Sequence, residues 1–193
     1  MAKPAIFLDR DGVIIENRDA YVRSWDDVEI FDDAVETVVK LKSTQYLIVI
    51  VTNQSAVGRK IITIEGATAI NNRLVSIIED RGGFVDGVYI CPHSPIDNCN
   101  CRKPRPGMLL QAAEDLDIDL AESIMVGDAL TDLEAGIQAG VKHTFLLETG
   151  RGLRQTTLPE FANYEQSLKS SNLTSAMNTL FMEILNCQDW KNA

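Results

Sequence analysis

The sequence predicts a doubly wound α/β fold with a mainly parallel sheet. Three observations predict it: five short apolar runs, amphipathic stretches between them, and polar residues of catalytic type directly after several runs. The runs are PAIFLD (4–9), YLIVIVTN (46–53), DGVYIC (86–91), SIMVGD (123–128) and HTFLLE (143–148). Short, nearly continuous apolar runs suit strands buried on both faces, as in a parallel sheet. Strands alternating with helices give an open sheet with a helical layer on each side. Ligands of such sheets sit beyond the carboxyl ends of the strands. Asp9, Asp11, Thr52, Asn53 and Asp128 all fall there.

The helices follow in order. Asp32 or Asp33 starts the first, with Val35, Val38, Val39 and Lys42 at helical spacing. Thr63 is placed to cap a second that runs to about Asp80. Pro106 fits the first turn of a third, whose apolar face reads Leu109, Leu110, Ala113 and Leu116. Thr131 and Glu134 have the spacing of a capping box for a fourth, and Gly140 is a stop. Residues 172–186 read as a last helix, with Leu173, Ala176, Met177, Leu180, Phe181 and Ile184 on one face. The polar segment 151–171 receives no assignment.

The chain has 193 residues, 45% hydrophobic and 24% charged, which suits one domain with a full core. We expect a single domain over 1–193, with a core over 4–150 and a tail over 151–193. The net charge of −10 disfavours binding to nucleic acid or anionic membranes. An anionic substrate would need local cations. The N-terminus MAKPAIFLDRDG lacks a signal peptide's apolar centre, and no apolar run reaches the ~18–20 residues of a bilayer span. A cytoplasmic location is expected, and with it few structural disulfides. No long heptad argues for assembly, so a monomer is expected.

FLDRDG puts Asp9 and Asp11 just after the first strand. On an extended strand, residues two apart side by side with a third between them do not converge without a bend, and Gly12 permits one. One carboxylate can then attack while the other moves a proton. A surface turn or a calcium loop fits the same residues. Thr52 and the amides near Asn53 can hold an anion; a capped strand-to-loop turn fits them too. Asp128 and Asp132 suit either metal chemistry or helix N-terminal charge.

CPHSPIDNCNCRKPRPG (91–107) gathers three of the four cysteines and one of the two histidines. Cys99 and Cys101 are too close for an easy mutual disulfide. Cys91, His93, Cys99 and Cys101 have the ligand types of a closed tetrahedral Zn²⁺ site. Such a site would fix the chain that presents Arg102 and Lys103, a clamp and not a reacting centre. Cys187 and His143 lie outside every motif. Gly150, Arg151 and Gly152 form a lone glycine pattern, from which Arg151 or Arg154 could reach an anionic sugar.

The ordered set FLDRDG, VTNQ, RKPRPG and GDALTD resembles the four motifs of the haloacid dehalogenase superfamily of aspartate-based phosphatases. The resemblance covers residues 5 to about 150. It implies a Rossmann-like core, to which the residues add a zinc-bound loop, with no separate cap domain evident. It implies Asp9 as the nucleophile that forms an aspartyl-phosphate, and Asp11 as general acid and then base. Thr52, Asn53 and Lys103 would bind the phosphoryl group. Mg²⁺ would be held by Asp9, the Asp11 carbonyl and Asp128, with Asp132 supporting from behind. Val13 stands where many members carry Thr. The run CPHxPxxxCxCRKPxPGM, with Tyr21 and Val22 and the TNQS of 52–55, resembles the heptose 1,7-bisphosphate 7-phosphatase branch. That branch is related to the histidinol-phosphate phosphatases, the alternative substrate class. Arg102, Ser55 and Arg59 would contact substrate. Ala129 replaces a lysine common in that branch. A silent phosphometabolite-binding module is a further alternative.

Overall fold

The computed structural model describes residues 2–187 and Trp190. Six parallel strands form one sheet: β1 (Ala5–Leu8), β2 (Leu47–Asn53), β3 (Gly87–Cys91), β4 (Ile124–Gly127), β5 (His143–Leu147) and β6 (Leu168–Ser170). Their order is β3-β2-β1-β4-β5-β6. The chain runs outward from β1 to β3, then returns to the other side of β1 with β4. The crevice at this reversal is where doubly wound sheets bind ligands.

The register explains why the runs are apolar throughout. Phe7 lies beside Val49 and Met125, and Leu8 beside Ile50 and Val126. Ile6, Leu8, Ile48, Ile50, Val126 and Phe145 share one core with the helices α1 (Asp32–Leu41), α3 (Ile64–Asp80) and α7 (Leu173–Asn178). Ala5, Phe7, Val49, Val51 and Met125 meet α4 (Gly107–Leu116) and α5 (Leu130–Ala139) on the opposite face. Successive residues of a strand point to opposite faces, so both must be apolar. No described helix is long and apolar enough to cross a membrane.

Thr63 caps α3 as expected, its hydroxyl accepting from the Gly66 amide at 3.1 Å. Gly140, at φ +81°, ends α5. The expected capping box at Thr131 and Glu134 is corrected. The cap is Ala129, whose amide donates to Asp132 at 3.0 Å, and Thr131 already lies within the helix. Glu134 instead accepts from Gln138 and from the Tyr164 hydroxyl. Pro106 precedes α4 as its cap, and the helix buries Met108, Leu109 and Ala112. Leu110 points outward, 47% exposed. Lys42 caps the end of α1 and is exposed.

The last helix buries the expected face, but after Asn178 it continues as wider π-type turns over Thr179–Ile184. Three elements were not legible: the one-turn helices α2 (Ser55–Gly58) and α6 (Gly152–Gln155), and edge strand β6. The sequence of β6, Leu-Lys-Ser, is too short and polar to read as a buried strand.

Candidate active site

Asp9 follows β1, its amide bonded to the Val126 carbonyl at 2.9 Å, which ties it to the neighbouring strand β4. Asp128 follows β4 and Asp132 lies one helical turn further on. The three carboxylates lie within 4.8 Å of one another, all buried. Strand adjacency thus unites residues well over a hundred positions apart. Gly12 makes the approach possible. Its φ is +84°, and a Cβ there would stand 2.2 Å from an Asp128 oxygen. Gly150, at φ +55°, backs onto the same carboxylate. The Thr149 hydroxyl donates to the Gly12 carbonyl at 2.6 Å, fixing this loop to the end of β5.

Lys103 enters from the loop after β3. Its ammonium has three donors and meets three acceptors: Asp132 Oδ1 at 2.7 Å, Val51 O at 2.8 Å and Asp9 Oδ1 at 3.0 Å. Burial opposes its charge, but the attraction of Asp132 and Asp9 prevails and holds its pKa above the usual lysine value. Asn53 holds the Lys103 backbone at both ends, accepting from its amide at 3.1 Å and donating to its carbonyl at 3.0 Å. Asn53 therefore positions the lysine.

Burial is the main cause that raises Asp9, to about 6, against the pull of Lys103 and with repulsion from Asp132 and Asp11. Burial also raises Asp128, with repulsion from Asp9 opposed by Arg151. Asp9 Oδ1 accepts from Lys103 and from the Arg10 amide at 2.8 Å. Oδ2 has no donor among the described residues. Three buried carboxylates against one buried lysine leave excess negative charge and hard oxygen donors, which suits a divalent cation such as Mg²⁺.

Asp11 turns its side chain away from this cluster, toward Arg10 and Gln54. Thr52 is fully buried, its hydroxyl accepting from Gln54 at 2.8 Å. Ser55 accepts from Arg102 at 2.7 Å, and both line the cavity. Arg59 is exposed at the end of α2 and does not line it. The cavity holds about 420 Å³ and is also lined by Asp9, Asp11, Asn53, Lys103, Ala129 and Asp132. Its far wall is the loop after β1, with Asn17, Arg18 and Tyr21.

Asp132 serves at once as the helix cap's return partner and as the shortest partner of Lys103. Asn17 and Arg151 were not assigned to Asp128 from the sequence. Asp128 Oδ2 accepts from Asn17 at 2.9 Å and from the Arg151 amide at 2.8 Å. Arg10 and Gln54 stood inside quoted motifs, and that adjacency was their only signal. Arg154 is exposed and His143 opens β5 away from the site.

Cys91, His93, Cys99 and Cys101 bring one donor atom each to a common point. Their sulfurs are 3.4–3.6 Å apart, and His93 Nδ1 lies 3.3 Å from Cys101 and 3.7 Å from Cys91. The edges of a zinc–thiolate tetrahedron with ~2.3 Å bonds are about 3.8 Å, so the donor set fits Zn²⁺. The separations are too long for disulfides, and all four cysteines are free thiols. Burial pushes the Cys91 thiol up to about 12, whereas at Cys99 burial is outweighed by hydrogen bonds from Cys101 and the Arg102 amide and the thiol is lowered. Arg105 braces the loop through the carbonyls of Asn98 and Cys99, both at 2.7 Å.

Residues 7–140 match the family model of the haloacid dehalogenase-like hydrolases. D-glycero-beta-D-manno-heptose-1,7-bisphosphate 7-phosphatase of Photorhabdus laumondii is 41% identical over 155 residues, 77% of this chain and 82% of the relative. The enzyme of that name from Escherichia coli is 41% identical over 160 residues, 78% and 83% of the two chains. The crystal structure of D,D-heptose 1,7-bisphosphate phosphatase from B. bronchiseptica, complexed with magnesium and phosphate, superposes with a TM-score of 0.85 at 34% identity. It covers 93% of this chain and 99% of its own. Motifs, sheet order and relatives agree: the chain belongs to the haloacid dehalogenase-like hydrolases, in the group of the heptose-1,7-bisphosphate 7-phosphatases.

Proposed function

We propose that this protein is a Mg²⁺-dependent phosphatase that removes the 7-phosphate of D-glycero-D-manno-heptose 1,7-bisphosphate. The observation that carries the chemistry is the buried group of Asp9, Asp128 and Asp132 around Lys103 at the crevice. The substrate comes from the relatives' names. Asp9, the Asp11 carbonyl and Asp128 would hold the Mg²⁺. Bound there, the ion offsets the charge of the phosphoryl oxygens.

Asp9 Oδ2 attacks phosphorus, and the bond from phosphorus to the sugar oxygen breaks. Asp11 gives its proton to that oxygen, leaving a phosphoryl group on Asp9. Asp11 then takes a proton from a water that attacks the same phosphorus, which releases inorganic phosphate and restores Asp9. The Lys103 charge attracts the phosphoryl group, for which one of its three occupied donors would be exchanged, and it keeps Asp9 oriented; the Thr52 hydroxyl would contact the same group. Arg102, set by Ser55, faces the remainder of the sugar. Zn²⁺ on Cys91, His93, Cys99 and Cys101 has a structural role, holding the loop that carries Arg102 and Lys103. We infer a single cytoplasmic domain without a cap, active as a monomer.

The test is phosphate release by purified protein with Mg²⁺ from both anomers of the bisphosphate, beside histidinol phosphate. A higher kcat/KM on the heptose bisphosphate is expected. Preference for histidinol phosphate would overturn the substrate assignment. Binding with no release from any ester would overturn the enzyme assignment.

A further inference from the structure

We propose that Arg10, braced by Asn71, is a positioning residue that aims the Asp11 carboxyl for proton transfer to the leaving oxygen. The proposal rests on the phosphatase reading above. Arg10 is only 1% exposed and is the largest fully buried side chain among the described residues. Burying a guanidinium is costly unless it is paired and hydrogen-bonded.

Its donors are committed to Asp11. Nη2 reaches Oδ2 at 2.9 Å and Oδ1 at 3.1 Å, while Nε reaches Oδ2 at 3.2 Å. A planar fork on both oxygens fixes the carboxyl's plane as well as its place. Gln54 adds a donor to Oδ2 at 3.1 Å and with the same nitrogen reaches Thr52. Asp11 is thereby held at the cavity wall, outside the carboxylate cluster and tied to the phosphate-binding hydroxyl.

The brace is built into α3. That helix buries Ala67, Ile70, Leu74 and Ile78, and in their midst Asn71, 2% exposed. A polar residue on an apolar helix face requires a partner. Asn71 Oδ1 accepts from Arg10 Nη1 at 2.8 Å, across 61 positions of sequence. Its Nδ2 has no partner among the described residues, so Arg10 is what the side chain serves. The same Arg10 gives its backbone amide to Asp9, setting both carboxylates from one residue. An acid must lie within hydrogen-bond reach of the oxygen it protonates, and prior orientation lowers the barrier to that transfer.

A purely structural Arg10 would slow every substrate alike. A residue that aims the acid would matter most where the leaving oxygen needs a proton. The test measures kcat/KM, which reports the first chemical step, with Mg²⁺-loaded Arg10→Met, Arg10→Lys and Asn71→Leu. Each is assayed on whichever of the heptose bisphosphate and histidinol phosphate, both alkyl esters, the wild type hydrolyses better, and on p-nitrophenyl phosphate, whose leaving group departs without a proton. Arg10→Met should lose about 100-fold on the alkyl ester and less than about 10-fold on the aryl ester. Arg10→Lys, a point charge without the fork, should recover part of the loss. Asn71→Leu, which suits the apolar face of α3, should show the same skew at smaller size, and it decides the matter if Arg10→Met does not fold. Equal losses on both esters in an active, folded variant would overturn the proposal alone. A wild-type chain that hydrolyses neither ester would refute the phosphatase reading and this proposal with it.

Discussion

Asp9 and Lys103 set the residue scale. Asp9 is held neutral more easily than an ordinary aspartate, because burial and two neighbouring carboxylates outweigh Lys103. In chelated protein its folded pKa, about 6, exceeds the usual 3.8. The folded state then binds more protons between those values, so stability falls as pH rises from about 4 to about 6. Thermal denaturation in chelator across that range should show the decline, and Asp9→Asn should reduce it, leaving the part due to Asp128 and Asp132, whose burial raises them in the same direction. The same substitution should lower turnover with Mg²⁺ by at least about 10³-fold, since the nucleophile is gone. Lys103→Met tests the opposite charge. It leaves Asp9 and Asp132 buried without their cation, and urea denaturation in chelator should show a loss of about 3–5 kcal/mol.

At the scale of elements, the loop from Cys91 to Arg105 is an arm with two main anchors, besides the ties of Arg102 to Ser55 and of Arg105 to the Asn98 and Cys99 carbonyls. One is the Cys₃His cluster and the other is Asn53, which grips Lys103 by its backbone. Stripping the metal should release the first anchor only. Trypsin should then cut after Arg102, the basic residue of this run not followed by proline, faster by about tenfold or more, with activity falling in step, and Zn²⁺ should restore both. Cleavage unchanged after verified metal removal would show that the loop holds itself.

The C-terminal helix belongs to the scale of the whole molecule. Leu180, Phe181 and Met177 close the face of the sheet opposite α4 and α5, where Phe181 stacks on Trp190 at 4.4 Å and meets Tyr46 edge-on. Leu180→Ala should cost about 2–5 kcal/mol in urea denaturation, as large-to-small core changes do. It should leave kcat/KM of the folded fraction within about twofold, because the residue lies in the core and not at the cavity. A large fall in kcat/KM would mean that this face sets the site.

Much of this protein was legible in its sequence. Runs such as YLIVIVTN report burial on both faces, and that burial is a local property of residue type. Short motifs such as DRDG and CPHSPIDNCNC report chemistry, because metal ligation and nucleophilic attack demand particular side chains at close spacing. Hence five of the six strands were read from the sequence, and the named carboxylates Asp9, Asp128 and Asp132 and the donors Cys91, His93, Cys99 and Cys101 come together in the fold. The misses share a cause. Thr131 and Glu134 had capping spacing, but the cap falls two residues earlier, at Ala129, so that Asp132 and not Glu134 takes the return bond and also pairs with Lys103. The polar strand β6 pairs with β5 through its backbone, which leaves no mark on side-chain pattern. What tertiary structure alone decided is which distant polar groups meet: Asp132 with Lys103, Arg151 with Asp128, Asn71 with Arg10. Periodicity records whether a side chain is buried. Only the packed fold selects the partner that makes burying its charge tolerable.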